Sequence, residues 1–285
     1  AAMTLEALQG SAVPFDERIH LIRPHPGQQA VAGNIRQLLE HSEIMDSHRD
    51  CGKVQDPYCL RCVPQVHGAS RDALAYSCHT IETELNSVTD NPLVFKNGDI
   101  LSGGNFHGQP LALALDFAAI ALAELASISE RRTYLLLEGD EGLPRLLMKD
   151  TGVNSGFMIP QYTAAALVSE NKVLCHPARV DSIPTSLGQE DHVSMGSISA
   201  LKLLSVLRNV ERVLAVEFLT AAQALDFRSP LKPGKGIRLA HELLRSQIGH
   251  AHQDYEVRND LDLCADILRR GDLASHVEAG IGNLA

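Results

Sequence analysis

Apolar residues recur at spacings of three and four along most of the chain. In "ALAYSCHTIETELNSV" the residues Leu74, Cys78, Ile81, Leu85 and Val88 fall on one face, which is the period of an amphipathic helix. From Ile198 to Phe227, "ISALKLLSVLRNVERVLAVEFLTAAQALDF" keeps that pattern for about eight turns at 3.6 residues each. Alternation of the strand kind is confined to "NPLVFKNGDIL", between Asn91 and Leu101. The expected fold is all-α, a bundle of long antiparallel helices. The most apolar stretch, "PLALALDFAAIALAELASISERR" from Pro110, is interrupted by Asp116 and Glu124. A bilayer resists such charges, so the stretch reads as a buried helix and no membrane span is expected.

Between the helical patterns lie loops dense in Gly, Pro, Asn and Asp: "RPHPGQQ" at Arg23, "TDNP" at Thr89, "SGGNFHGQP" at Ser102, "DTGVNSGF" at Asp150 and "DSIPTSLGQEDHVSMG" at Asp181. On a helical scaffold these are the places for chemistry. After "SPLKPGKG" at Ser229 the chain resumes as two shorter amphipathic segments, which suggests a central bundle domain over 1–232 and a C-terminal helical segment over 233–285. The first residues, "AAMTLEALQG", open inside an amphipathic pattern with no capping residue ahead of them. An N-terminal portion is therefore expected to be missing.

Composition narrows the function classes. With 285 residues and 45% hydrophobic content the chain can bury a real core. Lys plus Arg number 25 against 35 Asp plus Glu, a net charge of −10 without a basic stripe, which argues against a nucleic-acid partner. No basic segment followed by a short apolar run opens the chain, and a cytoplasmic protein is expected.

The stretch "QDPYCLRCVPQVHGAS", Gln55 to Ser70, offers two chemistries. Cys59 and Cys62 form a C-x-x-C among six cysteines, but only Cys51 or His67 lies at a useful distance to complete a zinc site. A thioredoxin-like redox pair would need a strand ahead of it, where "QDPY" stands. Packed thiols are the simpler reading, and no metal is expected. Asp56 as cap and Pro57 in the first turn would start a helix that brings Gln55, Tyr58 and Arg61 near one another. A helix start favours anions, and the forked guanidinium of Arg61 matches a carboxylate; an ordinary salt bridge on a capped helix explains the same spacing.

Two other stretches carry polar groups. "SGGNFHGQP" either presents Phe106 into a pocket or is a plain turn, with Gly103 and Gly104 allowing close backbone approach. In "GQEDHVSMG" acid and base residues crowd ahead of an apolar helix, a setting for a perturbed carboxylate or a solvated cap. His250 and "HQDYE" read as a flexible polar segment.

Taken together, ten stretches in order resemble the histidine ammonia-lyases, within the wider aromatic amino acid ammonia-lyases: "EALQGS" at Glu6, "FDERIHLIRPHPGQ" at Phe15, "QDPYCLRCVPQVHGAS" at Gln55, "TDNPLVF" at Thr89, "SGGNFHGQP" at Ser102, "ISERR" at Ile128, "NSGFMI" at Asn154, "ENK" at Glu170, "HPARVDSIPTS" at His176 and "QEDHVSMG" at Gln189. The resemblance implies non-oxidative elimination of ammonia from L-histidine to give trans-urocanate, in a homotetramer whose sites are shared between subunits. Its electrophile, a methylidene-imidazolone, forms from an Ala-Ser-Gly tripeptide of the family's backbone. Carried over, Arg61 binds the substrate carboxylate, Tyr58 lines the site near the electrophile, and Gln55 supports both by hydrogen bonding. Phe106, with Asn105 beside it, matches the aromatic that packs near the electrophile. Glu190 matches a carboxylate that partners the imidazole or acts as base. Phenylalanine-directed relatives have Gln there.

The sequence also departs from the family. It contains no Ala-Ser-Gly: Ala69-Ser70 is followed by Arg71, so Ser70 is not the electrophile's precursor. The family's tripeptide lies upstream of the matched region, so this chain alone is expected to be inactive without the missing N-terminal half. Gly188 stands where many relatives have Asn. The alternatives are a non-catalytic assembly or regulatory subunit of the same fold, and a family lyase or aminomutase acting on phenylalanine or tyrosine.

Overall fold

The computed structural model describes residues 1–49 and 52–285, which places the Cys51 of the zinc reading outside the described residues. The chain is helical nearly throughout: α1 (Ala2–Ala7), α2 (Glu17–Leu21), α3 (Pro26–Leu38), α4 (Glu43–Ser47), α5 (Tyr58–Arg61), α6 (Val63–Leu85), α7 (Gln109–Leu137), α8 (Met158–Leu174), α9 (Gly196–Asp226), α10 (Lys235–Arg245), α11 (Arg258–Arg269) and α12 (Asp272–Ile281). Between α6 and α7 a small hairpin pairs β1 (Leu93–Val94) with β2 (Ile100–Leu101), antiparallel, Leu93 opposite Leu101. Gly98 turns it with φ +90°, a conformation few side chains tolerate.

Three of the larger helices begin with proline in the first turn: Pro26 in α3, Pro64 in α6 and Pro110 in α7. There its missing N–H leaves no bond unmade. Helix α7 is the axis of the bundle. Ser77 of α6 donates to the Ala114 carbonyl (2.9 Å), Gln161 of α8 to Glu130 (2.8 Å), and Arg132 to Glu217 of α9 (2.6 Å). By length and composition α7 is apolar enough to cross a membrane; here it packs among α6, α8 and α9. Its buried positions are mostly small, Ala112, Ala114, Ala118, Ala119, Ala121 and Ala126, so neighbouring helices approach closely. From pairs such as Asn171–Asn209 and Cys175–Ala119, α8 runs antiparallel to α7 and α9, as α6 does to α7.

Helices α3 and α6 cross where Gly27 meets Gly68. A Cβ on either glycine would overlap the other helix's backbone, so this crossing requires both. Ser70, two residues after Gly68, is buried within the same helix, a poor place for a backbone cyclisation.

The C-terminal part forms three helices where the sequence pattern suggested two, because Gly271, at φ +75°, ends α11 and starts α12. Ile237, Leu244, Cys264 and Ile267 from this part share one apolar cluster with Leu5, Phe15, Leu136 and Leu219. Asp226 ties it to α9, accepting from His241 Nε2 (2.7 Å), Arg245 Nη2 (2.7 Å) and His250 Nδ1 (2.6 Å).

Candidate functional site

The helix expected to start at Asp56 is two helices. Helix α5 is a single turn with Pro57 as its first flanking residue, and α6 begins after a break at Cys62. Pro64 has no N–H for the carbonyl four residues back, so the first turn is not continued. Asp56 does not cap α5: its buried carboxylate accepts from the Ser11 amide (2.6 Å), fastening the approach to α5 onto the start of the chain. Its carbonyl accepts from Arg61 Nε (2.9 Å).

The guanidinium of Arg61 lies over the Tyr58 ring, 4.6 Å from its centroid, a cation–π contact. Among the described residues, the two terminal nitrogens of Arg61 take no hydrogen bond and form no ion pair. Tyr58 is 70% exposed. The surface therefore carries an oriented cationic fork with a phenol beside it. Gln55 lies apart from the two, exposed along a cavity of about 890 Å³ that is also lined by His41, His48, Arg49 and Asp56.

Behind α5 is a dry polar cluster that the sequence reading did not single out. Arg132, 1% exposed, donates through Nε and Nη2 to the two oxygens of Glu217 (2.6 and 2.7 Å). Ser129 (2.6 Å) and Thr4 (2.8 Å) also donate to Glu217. Burial works to raise the Glu217 carboxyl, but the Arg132 charge, the charge of the Ala1 amine and the hydrogen bonds from Arg132 and Ser129 outweigh it and hold it well below the usual range. The remaining nitrogen of Arg132, Nη1, faces the Cys59 carbonyl and His67 Nε2, each at 3.4 Å. Burial and the Arg132 charge push His67 down to about 3, so its imidazole is neutral.

The other candidates sit at the far end of α7. Phe106 is 58% exposed in the loop leading into that helix, and Asn105 Nδ2 donates to the Val88 carbonyl (3.4 Å). His107 Nε2 donates to the His192 carbonyl (2.9 Å) and the two rings stack, so this loop meets the one carrying Glu190. Glu190 is exposed and accepts from Thr185 Oγ1 (2.6 Å) across a short backbone bridge. The Thr185 hydroxyl, helped by Ser186, lowers its carboxyl below the usual value. Gly188, in the same loop, has φ +87° with open space around it; Asn is among the residues that best tolerate this region, so the Asn that the resemblance suggests here would fit.

The structure thus brings Asn105, Phe106 and Glu190 together at one end and Tyr58 with Arg61 at the other. Some 24 residues of α7 separate the ends, about 35 Å at 1.5 Å per residue. Among the described residues no group of three His, Cys, Asp or Glu side chains is placed to hold a metal. The five described cysteines, Cys59 and Cys62 among them, are free thiols.

Long helices packed in a bundle, polar loops at both ends and, on one of them, a guanidinium whose terminal nitrogens are unpaired among the described residues define a helical-bundle protein with a candidate carboxylate-binding end. The chain belongs to the aromatic amino acid lyase family, whose pattern it matches over residues 1–246. It is 54% identical to a histidine ammonia-lyase of Sorangium cellulosum over 99% of this chain and 57% of that protein. To the Myxococcus xanthus enzyme of the same name it is also 54% identical, over 98% and 55%. Among solved structures, histidine ammonia-lyase from Trypanosoma cruzi superposes with a TM-score of 0.90 at 45% identity, covering 98% of this chain and 53% of the other. Tyrosine aminomutase from Streptomyces globisporus gives 0.93 at 37%, covering 100% and 58%. The chain spans a little over half the length of the curated relatives it matches.

Proposed function

We propose that this chain is the C-terminal, helical-bundle part of a cytoplasmic histidine ammonia-lyase, which eliminates ammonia from L-histidine to give trans-urocanate. The observation that carries this reading is Arg61, fixed at Nε, stacked on Tyr58 and open at its two terminal nitrogens. That is a receptor for the α-carboxylate of an amino acid. Tyr58 stands beside it with an exposed phenol, in place to hold or pass a proton at its hydroxyl oxygen. Glu190, ionised at neutral pH, accepts the imidazole N–H at the other end and so favours histidine over phenylalanine and tyrosine. Asn105 supports its wall by donating to the Val88 carbonyl, while Gln55, exposed and apart from Tyr58 and Arg61, lines the neighbouring cavity.

The electrophile would be supplied by an Ala-Ser-Gly segment in an N-terminal half outside this chain. Ser70 does not fit the part, being buried in mid-helix and followed by Arg71. The residues that fit beside such a group are exposed ones, Tyr58 and Phe106. When present, a methylidene-imidazolone supplies the electron sink that makes ammonia a leaving group and the β-proton acidic. The chain's own residues bind the carboxylate, orient the imidazole and line the site with an aromatic.

Walls about 35 Å apart on one chain enclose a histidine-sized site only if different copies contribute them. We therefore read the assembly as a homo-oligomer, and as a homotetramer on the strength of the family resemblance. Ile198, Leu201, Leu204 and Leu207 form an exposed apolar stripe on α9, and Phe117, Ile120 and Tyr134 are exposed on α7. Such faces suit burial between copies.

The test is the complete enzyme containing this chain, assayed for urocanate by its ultraviolet absorbance. Arg61→Ala is expected to raise KM about 100-fold, the loss of a charge-assisted bidentate contact. Absence of urocanate with histidine, or formation of a β-amino acid from tyrosine, would favour the aminomutase reading that the Streptomyces globisporus likeness supports.

A further inference from the structure

We propose that Arg132 is a positioning residue for Tyr58 and Arg61, holding the single turn of α5 in its working orientation through the Cys59 carbonyl. The inference rests on the reading of Arg61 as the carboxylate receptor. Glu217 is already satisfied: Arg132 donates to it twice, Ser129 and Thr4 once each, and the Ala1 amine lies 3.1 Å from Oε1. The ion pair is satisfied without Nη1, and a buried ion pair is seldom more stabilising than an apolar replacement of the same shape. What the guanidinium adds is a third nitrogen, aimed at the Cys59 carbonyl and at neutral His67. One side chain of α7 thereby spans α9, α5 and α6.

Helix α5 has four residues and cannot hold itself, because a lone turn fixes several dihedrals for very few bonds. Leu60, 2% exposed, is the turn's one fully buried side chain and its anchor in the core, with Cys59 packed partly buried beside it. The Cys59 carbonyl is a second point on the same turn, between Tyr58 and Arg61. Two points set the direction in which Tyr58 and Arg61 leave the surface. Burial also pushes the Cys59 thiol pKa up, which lowers its reactivity while α5 is docked.

The experiment pairs kinetics with residue-resolved thiol labelling. Arg132→Lys keeps a positive charge against Glu217 but has no nitrogen left for Cys59 and His67. In the complete enzyme KM for histidine is expected to rise about tenfold, the weight of one lost hydrogen bond, with kcat changing much less. In an Arg61→Ala background the same substitution is expected to leave KM nearly unchanged. In the 285-residue chain, Cys59 and Cys62 are expected to label faster while buried Cys264 keeps its native rate.

If Arg132→Lys does not fold, the double variant Arg132→Gln/Glu217→Gln removes both charges of the pair and is expected to give the same labelling pattern. Equal acceleration at Cys264, or the same rise in KM with and without Arg61, overturns the proposal. Selective labelling of Cys59 and Cys62 in an enzyme that forms no urocanate upholds the role of Arg132 at α5, and it is then the reading of the reaction that falls.

Discussion

The two ends of α7 present functional groups in opposite ways. At the α5 end, Tyr58 and Arg61 stand on a turn fastened from below by a dry network: Arg132, Glu217, Ser129, Thr4 and His67. At the other end, Asn105, Phe106 and Glu190 sit on exposed loops joined by the His107–His192 contact and the Thr185–Glu190 bridge. One end is ordered by the chain's own interior. The other is ordered by loop contacts at the surface, where a neighbouring copy can cover it. A site built from both would combine a preformed carboxylate receptor with a wall completed on assembly.

The largest expected effect tests that asymmetry directly. Glu217→Ala strands the Arg132 guanidinium in the core and is expected to destabilise the chain by about 3–5 kcal/mol in denaturant unfolding. Phe106→Ala at the exposed end is expected to stay within about 0.5 kcal/mol. Similar losses at both ends would break the comparison.

The next effect sharpens it, because the buried end also holds a carboxylate tuned the other way. Glu6 accepts from the Gly234 amide (2.8 Å), while its other oxygen has no partner, and burial raises its pKa to about 7 from 4.5. The folded chain therefore holds this proton more tightly than the unfolded one. Glu6 leaves stability undiminished below about pH 4.5 and erodes it as pH rises through about 7, by roughly 3 kcal/mol in all. Glu6→Gln is expected to flatten that slope in unfolding curves taken from pH 5 to 8. Glu217 has the opposite sign: its lowered pKa stabilises above the unfolded carboxylate value, and that contribution is lost as pH falls.

The long helices were legible because a 3.6-residue period maintained over twenty or more residues leaves little choice of structure. α7 and α9 lie where the pattern put them. The break at Cys62 was not legible: proline marks a helix start as readily as an interruption, and Pro57 and Pro64 stand seven residues apart. Nor was the third C-terminal helix, since only the backbone reveals that Gly271 takes a positive φ. At the site, the residue types in "QDPYCLRC", "GGNF" and "QEDH" were readable, but their placement was not. The length of α7 decides that Arg61 and Glu190 lie at opposite ends. Glu217 left a signal, a charge within the apolar run "VLAVEFL", whereas Arg132, beside Glu130 and Arg131, did not. Their pairing across 85 positions is a property of helix packing.

The smallest expected effect concerns Glu190. Its carboxylate takes the Thr185 hydroxyl at 2.6 Å, and that bond, with help from Ser186, holds its pKa down although the group is exposed. The loop does not depend on the hydroxyl, since the Thr185 amide donates to the Glu190 carbonyl (2.9 Å) and the Glu190 amide to the Thr185 carbonyl (3.3 Å). Thr185→Val should leave the loop and the stability nearly unchanged while the Glu190 titration moves up toward the ordinary carboxylate range, as followed by carboxyl-carbon NMR. An unmoved titration would mean that the hydroxyl does not set the charge. The direction bears on chemistry: a lowered carboxyl is a good acceptor for an imidazole N–H and a weak base for a carbon-bound proton. Cover by a second copy would remove water and push the same group upward. Under the proposed function, comparing the titration in the lone chain with that in the assembled enzyme tests whether assembly shifts Glu190 from an imidazole acceptor toward a base.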